Sequence, residues 1–233
     1  MERTNYRSAQ IVGTGPGLSA SLARLFAGHG LAVAVAARQT DKLAALATET
    51  GASTHACNAA DPKEVAALFE ALDAQGKTPD VVVYNASNRV RGPLVDLSPD
   101  DVKRAIEISA FGAFLVSQQA ARRMLPKNHG AILLSGATAG IKGFALSATF
   151  AMGKFALRGL AQSMARELSP QGIHVAHFVI DGGIRSAARP VPADNPDSLL
   201  DPDAIAETYW ATLQQHRSAW SWEVEVRPWV EKF

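Results

Sequence analysis

Residues 11–19 read Ile11-Val12-Gly13-Thr14-Gly15-Pro16-Gly17-Leu18-Ser19. They follow a short apolar run and precede a segment in which Leu18, Leu22, Leu25 and Phe26 share one helical face. Gly13, Gly15 and Gly17 permit a tight turn from a strand into a helix and a close backbone approach to a ligand. A helix starting there points its unpaired N–H groups and positive dipole end at that ligand, which suits a pyrophosphate. A glycine-rich corner with no ligand is the competing reading, and the rest of the chain decides between them.

The chain has 233 residues, enough for one large α/β domain with a sizeable core, and its formal net charge is +1. Near-neutrality gives no sign of a nucleic-acid or membrane-surface partner. Cys57 is the single cysteine, so no disulfide can form within the chain and a reducing, cytoplasmic setting is expected. No stretch approaches the roughly 18 apolar residues of a membrane span, and the first residues lead into no apolar signal segment. The six histidines have no metal-ligand spacing, and His174 and His177 are predicted on opposite faces of a strand, so no metal is expected.

Strand-like apolar runs alternate with helical patterns. Strands are predicted at 9–12, 31–36, 53–57, 81–84, 131–134, 173–180 and 222–227. Helices are predicted at 18–27, 41–48, 98–124, 148–168 and 201–216, and at a segment opened by Asp61-Pro62-Lys63-Glu64, an N-cap with a capping box. Strands this apolar belong to a parallel sheet covered on both faces, and the βαβ rhythm predicts a doubly wound α/β fold. Residues 186–201, with Pro190, Pro192 and Pro196, are expected to form a mobile loop. Residues 220–233 carry Trp220, Trp222, Trp229 and Phe233, more aromatic surface than a free tail exposes, so this segment is expected to pack on the core or on a neighbouring subunit.

In this order the motifs resemble the short-chain dehydrogenase/reductase family over nearly the whole chain. Val12, Gly13, Gly17 and Ser19 fall on the Thr and three Gly of its Thr-Gly-x-x-x-Gly-x-Gly; small Ser19 should leave the loop intact. Tyr84-Asn85-Ala86-Ser87 matches its Asn-Asn-Ala-Gly, Asn58-Ala59 its Asp-Val beside the adenine, and Asp181-Gly182-Gly183-Ile184 its Pro-Gly-x-Ile. The resemblance implies one Rossmann domain over 1–233. It implies dinucleotide contacts at Gly13, Thr14, Gly15, Pro16, Gly17, Leu18, Arg38, Asn58, Ala59, Asn85, Ala86, Ser87, Lys154, Gly182 and Ile184. It also implies a homodimer or homotetramer paired through the helices at 98–124 and 148–168.

The second strand ends in Ala37-Arg38. An NAD site usually has a carboxylate there to accept from the ribose 2′-hydroxyl. None is present, and a guanidinium can pair with a 2′-phosphate, so NADP(H) is expected over NAD(H).

The family's proton chemistry uses Asn, Ser, Tyr and Lys. Lys154 matches the lysine of Tyr-x-x-x-Lys, Phe150 falls on the tyrosine, Ala137 on the serine thirteen residues earlier, and Ser109 on the asparagine. A positioned general acid contributes about 10²–10⁴ in rate, and a phenyl ring supplies none of it. The related enoyl reductases place their tyrosine seven residues before the lysine, here Ser147, a poor acid assigned to the substrate side. Thr138, Thr149 and Tyr84 match no acid position. Lys154 itself can hold a nicotinamide ribose, and it can donate a proton if burial lowers its pKa.

Three readings fit: an NADP(H)-dependent oxidoreductase acting on a small carbonyl or alcohol with an unusual proton donor; a non-catalytic dinucleotide-binding sensor or regulatory subunit; and a scaffold with an empty nucleotide site.

Overall fold

A computed structural model describes residues 5–231. Chain order is β1 (Ser8–Val12), α1 (Leu18–Gly28), β2 (Ala32–Ala37), α2 (Ala44–Thr50), β3 (Ser53–Ala56), α3 (Pro62–Ala74) and β4 (Val81–Tyr84). It continues with α4 (Pro99–Ile106), α5 (Gly112–Met124), β5 (Gly130–Ser135), α6 (Ala148–Leu168), β6 (Ile173–Ile180), β7 (Gly183–Ile184), β8 (Leu199–Leu200), α7 (Pro202–Leu213) and β9 (Glu223–Val226).

Seven strands form one sheet in the order β3-β2-β1-β4-β5-β6-β9, every neighbouring pair parallel. This is the expected Rossmann-type α/β fold. Alternation along the strands divides the core in two. Ile11, Val35, Val83, Leu133 and Phe178 pack with Phe26 of α1 and Tyr209 of α7 on one face. Val12, Ala36, Val82, Leu134 and Val175 pack with Phe69 of α3, Val116 of α5 and Leu157 of α6 on the other. The order reverses between β1 and β4, so a crevice opens beyond the carboxyl ends of those strands, where doubly wound folds bind ligands.

Several local expectations change. The helix expected at 98–124 is continuous but carries one π-helical stretch, Glu107–Phe111, between α4 and α5. Asp61 caps α3 by accepting from the N–H groups of Lys63 (2.7 Å) and Glu64 (3.2 Å). The expected capping box is not closed, because the Glu64 carboxylate accepts instead from Asn58 N–H at 2.7 Å. The last helix stops at Leu213 rather than 216, and Arg217–Ala219 form a separate 3₁₀ turn. Within residues 186–201, Leu199–Leu200 pair with Gly183–Ile184, and Ser186 and Arg189 exchange backbone bonds.

The C-terminal aromatics behave differently from one another. Trp220 stacks on His174 with centroids 4.6 Å apart, and Trp222 lies under Arg158. Trp229 is 81% exposed in the single chain and donates to Asp197 at 3.1 Å. Phe233 lies outside the described residues. No helix among the described residues is long and apolar enough to cross a membrane, and no group of three or more His, Cys, Asp or Glu among them has metal-site geometry.

Candidate active site

The glycine-rich turn leaves β1 and is tied to the neighbouring strand. Gly13 and Thr14 N–H both donate to Ala36 O at 3.0 Å, and the Thr14 hydroxyl donates to Ile11 O at 3.1 Å. Gly13 has φ +87°, and a Cβ there would collide with the Ala86 backbone, so glycine is required twice over. Gly15 and Gly17 face open space. Helix α1 then begins at Leu18 with no side-chain cap and no acidic residue in its first turn. A bare helix end beside open glycines suits an anionic group.

Ser19 is accommodated and holds the site together. Its hydroxyl donates to Gly13 O at 3.1 Å and accepts from Asn85 Nδ2 at 2.7 Å, linking the turn to the end of β4. Arg38 lies just past β2, exposed, with no acidic partner among the described residues. Asn58 lies just past β3, its side-chain oxygen accepting from Ala60 N–H at 3.3 Å, with Ala59 buried beside it.

A cleft of about 620 Å³ lies beyond β4, β5 and β6. It gathers Asn85, Ser87, Ala137, Ser147, Phe150, Lys154, Gly182 and Ile184, expected on separate grounds from the sequence. Gly13, Thr14, Gly15, Pro16, Gly17, Leu18, Arg38, Asn58, Ala59 and Ala86 lie outside this cavity, on the turns that follow β1 to β4.

The fold agrees with that of known proteins. The family model described as Enoyl-(Acyl carrier protein) reductase matches residues 13–203. Oxidoreductase UcpA of Salmonella typhimurium is 30% identical over 218 residues, covering 88% of this chain and 82% of that protein. The chain belongs to the short-chain dehydrogenase/reductase family. A solved short-chain dehydrogenase from Rhodopseudomonas palustris is 33% identical, with a TM-score of 0.83 over 96% of this chain and 99% of that one. A metagenomic short-chain oxidoreductase solved in complex with NADP is 28% identical, with a TM-score of 0.82 over 95% and 97%. The chain is thus a member of an oxidoreductase family.

Lys154, from the second turn of α6, is 4% exposed. Its ammonium donates to Ser135 O at 2.7 Å at the end of β5. Burial pushes its pKa down from 10.5 to about 8. Phe150 lies one turn earlier, with Lys154 Nζ 5.7 Å and the Arg89 guanidinium 5.2 Å from its ring centroid.

Ser109, expected at the family's asparagine, is fully buried behind the cleft and not in its lining. Its hydroxyl accepts from Asn88 N–H at 3.3 Å, and a Cβ on Gly153 would lie 2.8 Å from Ser109 Cβ. The π-helical stretch and α6 therefore touch at this point, and a side chain at position 153 finds no space. Tyr84 is also removed from the chemistry: its hydroxyl donates to Ile108 O, and burial raises its pKa. Thr149 is spent on Val90 O at 2.6 Å.

Other cleft residues were not singled out from the sequence as site residues. Thr138 donates to Asp181 Oδ1 at 2.5 Å, and Asp181 Oδ2 pairs with Arg227 at 3.1 Å. Arg89, Arg91, Lys142 and Arg189 also line the cleft. Arg89 and Arg91 were legible in principle, since they follow Asn85-Ala86-Ser87 directly after a strand whose carboxyl end faces the crevice.

Proposed function

We propose that this chain is an NADP(H)-dependent oxidoreductase acting on a small carbonyl or alcohol, with Lys154 as its proton-transferring group. In this reading the uncapped start of α1 and Gly13–Gly17 hold the pyrophosphate, Arg38 pairs with the 2′-phosphate, and Asn58 and Ala59 border the adenine. Asn85, Ser87, Gly182 and Ile184 border the nicotinamide end, and Ser147 faces the substrate. A bound nicotinamide dinucleotide supplies a hydride.

Reduction of a carbonyl adds that hydride at carbon and one proton at oxygen. Lys154 releases the proton from its ammonium, is left as a neutral amine, and takes a proton back from water. The observation that carries the reading is the Lys154 ammonium, buried at the cleft floor with its pKa at about 8. A general acid works best when its pKa lies near the working pH. The NADP-bound relative adds support for the phosphate-bearing cofactor.

The residues at the other three family positions favour a second reading, a protein that binds the dinucleotide without turnover. Phe150 and Ala137 carry no transferable proton, and Ser109 is walled off. One pair of experiments separates the two. Calorimetry with NADPH and NADH measures binding, and NADPH oxidation is then followed with a panel of aldehydes, ketones and quinones. Turnover in wild type that disappears in Lys154→Ala, with NADPH still bound, supports the enzyme. Binding without turnover on any member supports the sensor, and turnover that survives Lys154→Ala removes lysine from the chemistry.

The assembly proposed is a homodimer or homotetramer. Phe111, Phe114, Met152 and Phe155 leave an apolar surface on the π-helical stretch, α5 and α6, each between 41% and 50% exposed. A monomer mass in light scattering refutes this assembly.

A further inference from the structure

The rim and floor of the cleft are strongly cationic. Arg89 and Arg91 stand on the segment after β4, Lys142 on the one after β5, Arg189 on the one after β7, and Lys154 on the floor. Two carboxylates line the same cleft. Asp181 is already engaged by Thr138 and Arg227, which leaves Glu231 against five cations. Arg89, Arg91, Lys142 and Arg189 pair with no carboxylate among the described residues.

Like charges gathered in a cleft with low-dielectric walls repel one another and focus a positive potential into it. Such an arrangement is unfavourable in the empty protein and becomes favourable when an anion enters. The positions are also specific. Arg89 is stacked over the Phe150 ring, a cation–π contact that holds its planar fork beside the reacting position. Lys142 is likewise laid over Phe144, 5.6 Å from its centroid. Arg38, the cation assigned to the cofactor's 2′-phosphate, is not part of this group, since it follows β2 and lies outside the cleft. The cluster is therefore additional to the charge needed for a dinucleotide.

We propose that the cleft selects a substrate bearing an oxyanion, a carboxylate or a phosphate, with Arg89 and Arg91 as its anchor. Guanidinium suits this because its fork makes paired, charge-assisted bonds to either oxyanion. The anchor fixes the far end of the substrate while the reacting carbon faces Lys154. This deepens the oxidoreductase reading and rests on it for the word substrate.

The test is calorimetric or saturation-transfer titration of the full chain with three ring-matched probes: benzoate, phenyl phosphate and neutral benzamide. Each is measured on the NADPH-saturated and the unloaded protein. We expect benzoate or phenyl phosphate to bind and benzamide to bind at least about tenfold more weakly. Whichever of the two anions binds more tightly identifies the carboxylate or the phosphate as the substrate's charged group. Arg89→Gln/Arg91→Gln should reduce anion affinity about tenfold or more with the NADPH affinity unchanged, while Arg166→Gln on the outer face of α6 should leave both unchanged. The exposed positions of Arg89 and Arg91 keep these variants folded. Equal binding of benzamide, no anion binding at millimolar concentration, or unchanged anion affinity in the double variant overturns the proposal and leaves the dinucleotide reading intact. Failure of NADPH to bind overturns that reading instead, and the probe series on the unloaded chain still decides the anchor.

Discussion

Replacing Lys154 by methionine separates a residue kept for chemistry from one kept for stability. Burial lowers its pKa from 10.5 to about 8, so the charged form in the folded chain is disfavoured by about 3 kcal/mol relative to the unfolded chain. The bond from Nζ to Ser135 O offsets about 1.5–3 kcal/mol of this. Methionine preserves the packing of the stem and removes both contributions. Lys154→Met should therefore unfold in urea at pH 7 within about 1 kcal/mol of wild type, whereas truncating a residue that supports the core costs about 2–5 kcal/mol. The pH dependence has a definite sign. With the folded pKa depressed, the unfolded chain binds more protons between pH 8 and 10.5, so wild-type stability rises with pH across that window. The methionine variant lacks this rise, and wild type should gain on it by up to about 3 kcal/mol. NADPH should still bind the variant at saturating concentration. A loss of several kcal/mol at pH 7 would refute the reasoning and make Lys154 structural.

Arg38→Ala should remove most of the preference for NADPH over NADH in calorimetry; wild type that binds both equally defeats the NADP(H) assignment. Ala137→Ser/Phe150→Tyr adds two hydroxyls to the cleft beside Lys154 and should raise carbonyl reduction toward the 10²–10⁴-fold scale of a general acid, read as NADPH oxidation; no gain with NADPH bound counts against Phe150 as the missing acid. His177 is buried, its Nδ1 3.1 Å from Glu223, and burial pushes its pKa down to about 4. Its contribution is complete above pH 6.5 and is lost as pH falls toward 4, at most about 3 kcal/mol. His177→Gln should flatten that part of the stability profile in urea titrations, and an unchanged slope refutes the assignment.

What was legible followed from local chemistry. Periodicity places α6 at Ala148–Leu168 and β6 at Ile173–Ile180 because the faces those residues bury are written in the residues themselves. The glycine turn was legible for the same reason, since φ +87° at Gly13 is a property of that position. The cationic cleft was not, because Arg89, Lys142 and Arg189 come from three separate loops and meet only through the sheet order. The fate of Ser109 was hidden as well. Its position in the motif was readable, but its closure by Gly153 depends on how the π-helical stretch lies against α6. The tail's aromatic content could not show which ring goes where: Trp220 stacks on His174, while Trp229 satisfies its indole N–H on Asp197 at the surface of the chain.

Two of the unusual residues of the site, Ser109 and Phe150, fit their neighbours. Ser109 is small and Gly153 facing it is smaller; a Cβ on Gly153 would come within 2.8 Å of Ser109 Cβ. Gly136 leaves room for the His177 ring, which a Cβ there would strike, and His177 in turn donates to the Glu223 carboxylate that Arg158 holds with two bonds of 2.7 Å. Phe150 carries Arg89 on its ring, a contact that depends on an aromatic face and not on a hydroxyl. A site drifting without constraint would accumulate unpaired polar groups and voids, because nothing would keep neighbours complementary. Here the departures at Ser109 and Phe150 are met by neighbours that fit them, while His177 Nε2 is buried without a hydrogen-bond partner among the described residues. That fit makes the cleft a packed, charged pocket built around Lys154 and Arg89. For this reason Ser109→Asn, which would have to displace Gly153, should restore nothing, whereas changes at Ala137 and Phe150 act on side chains that face the cleft.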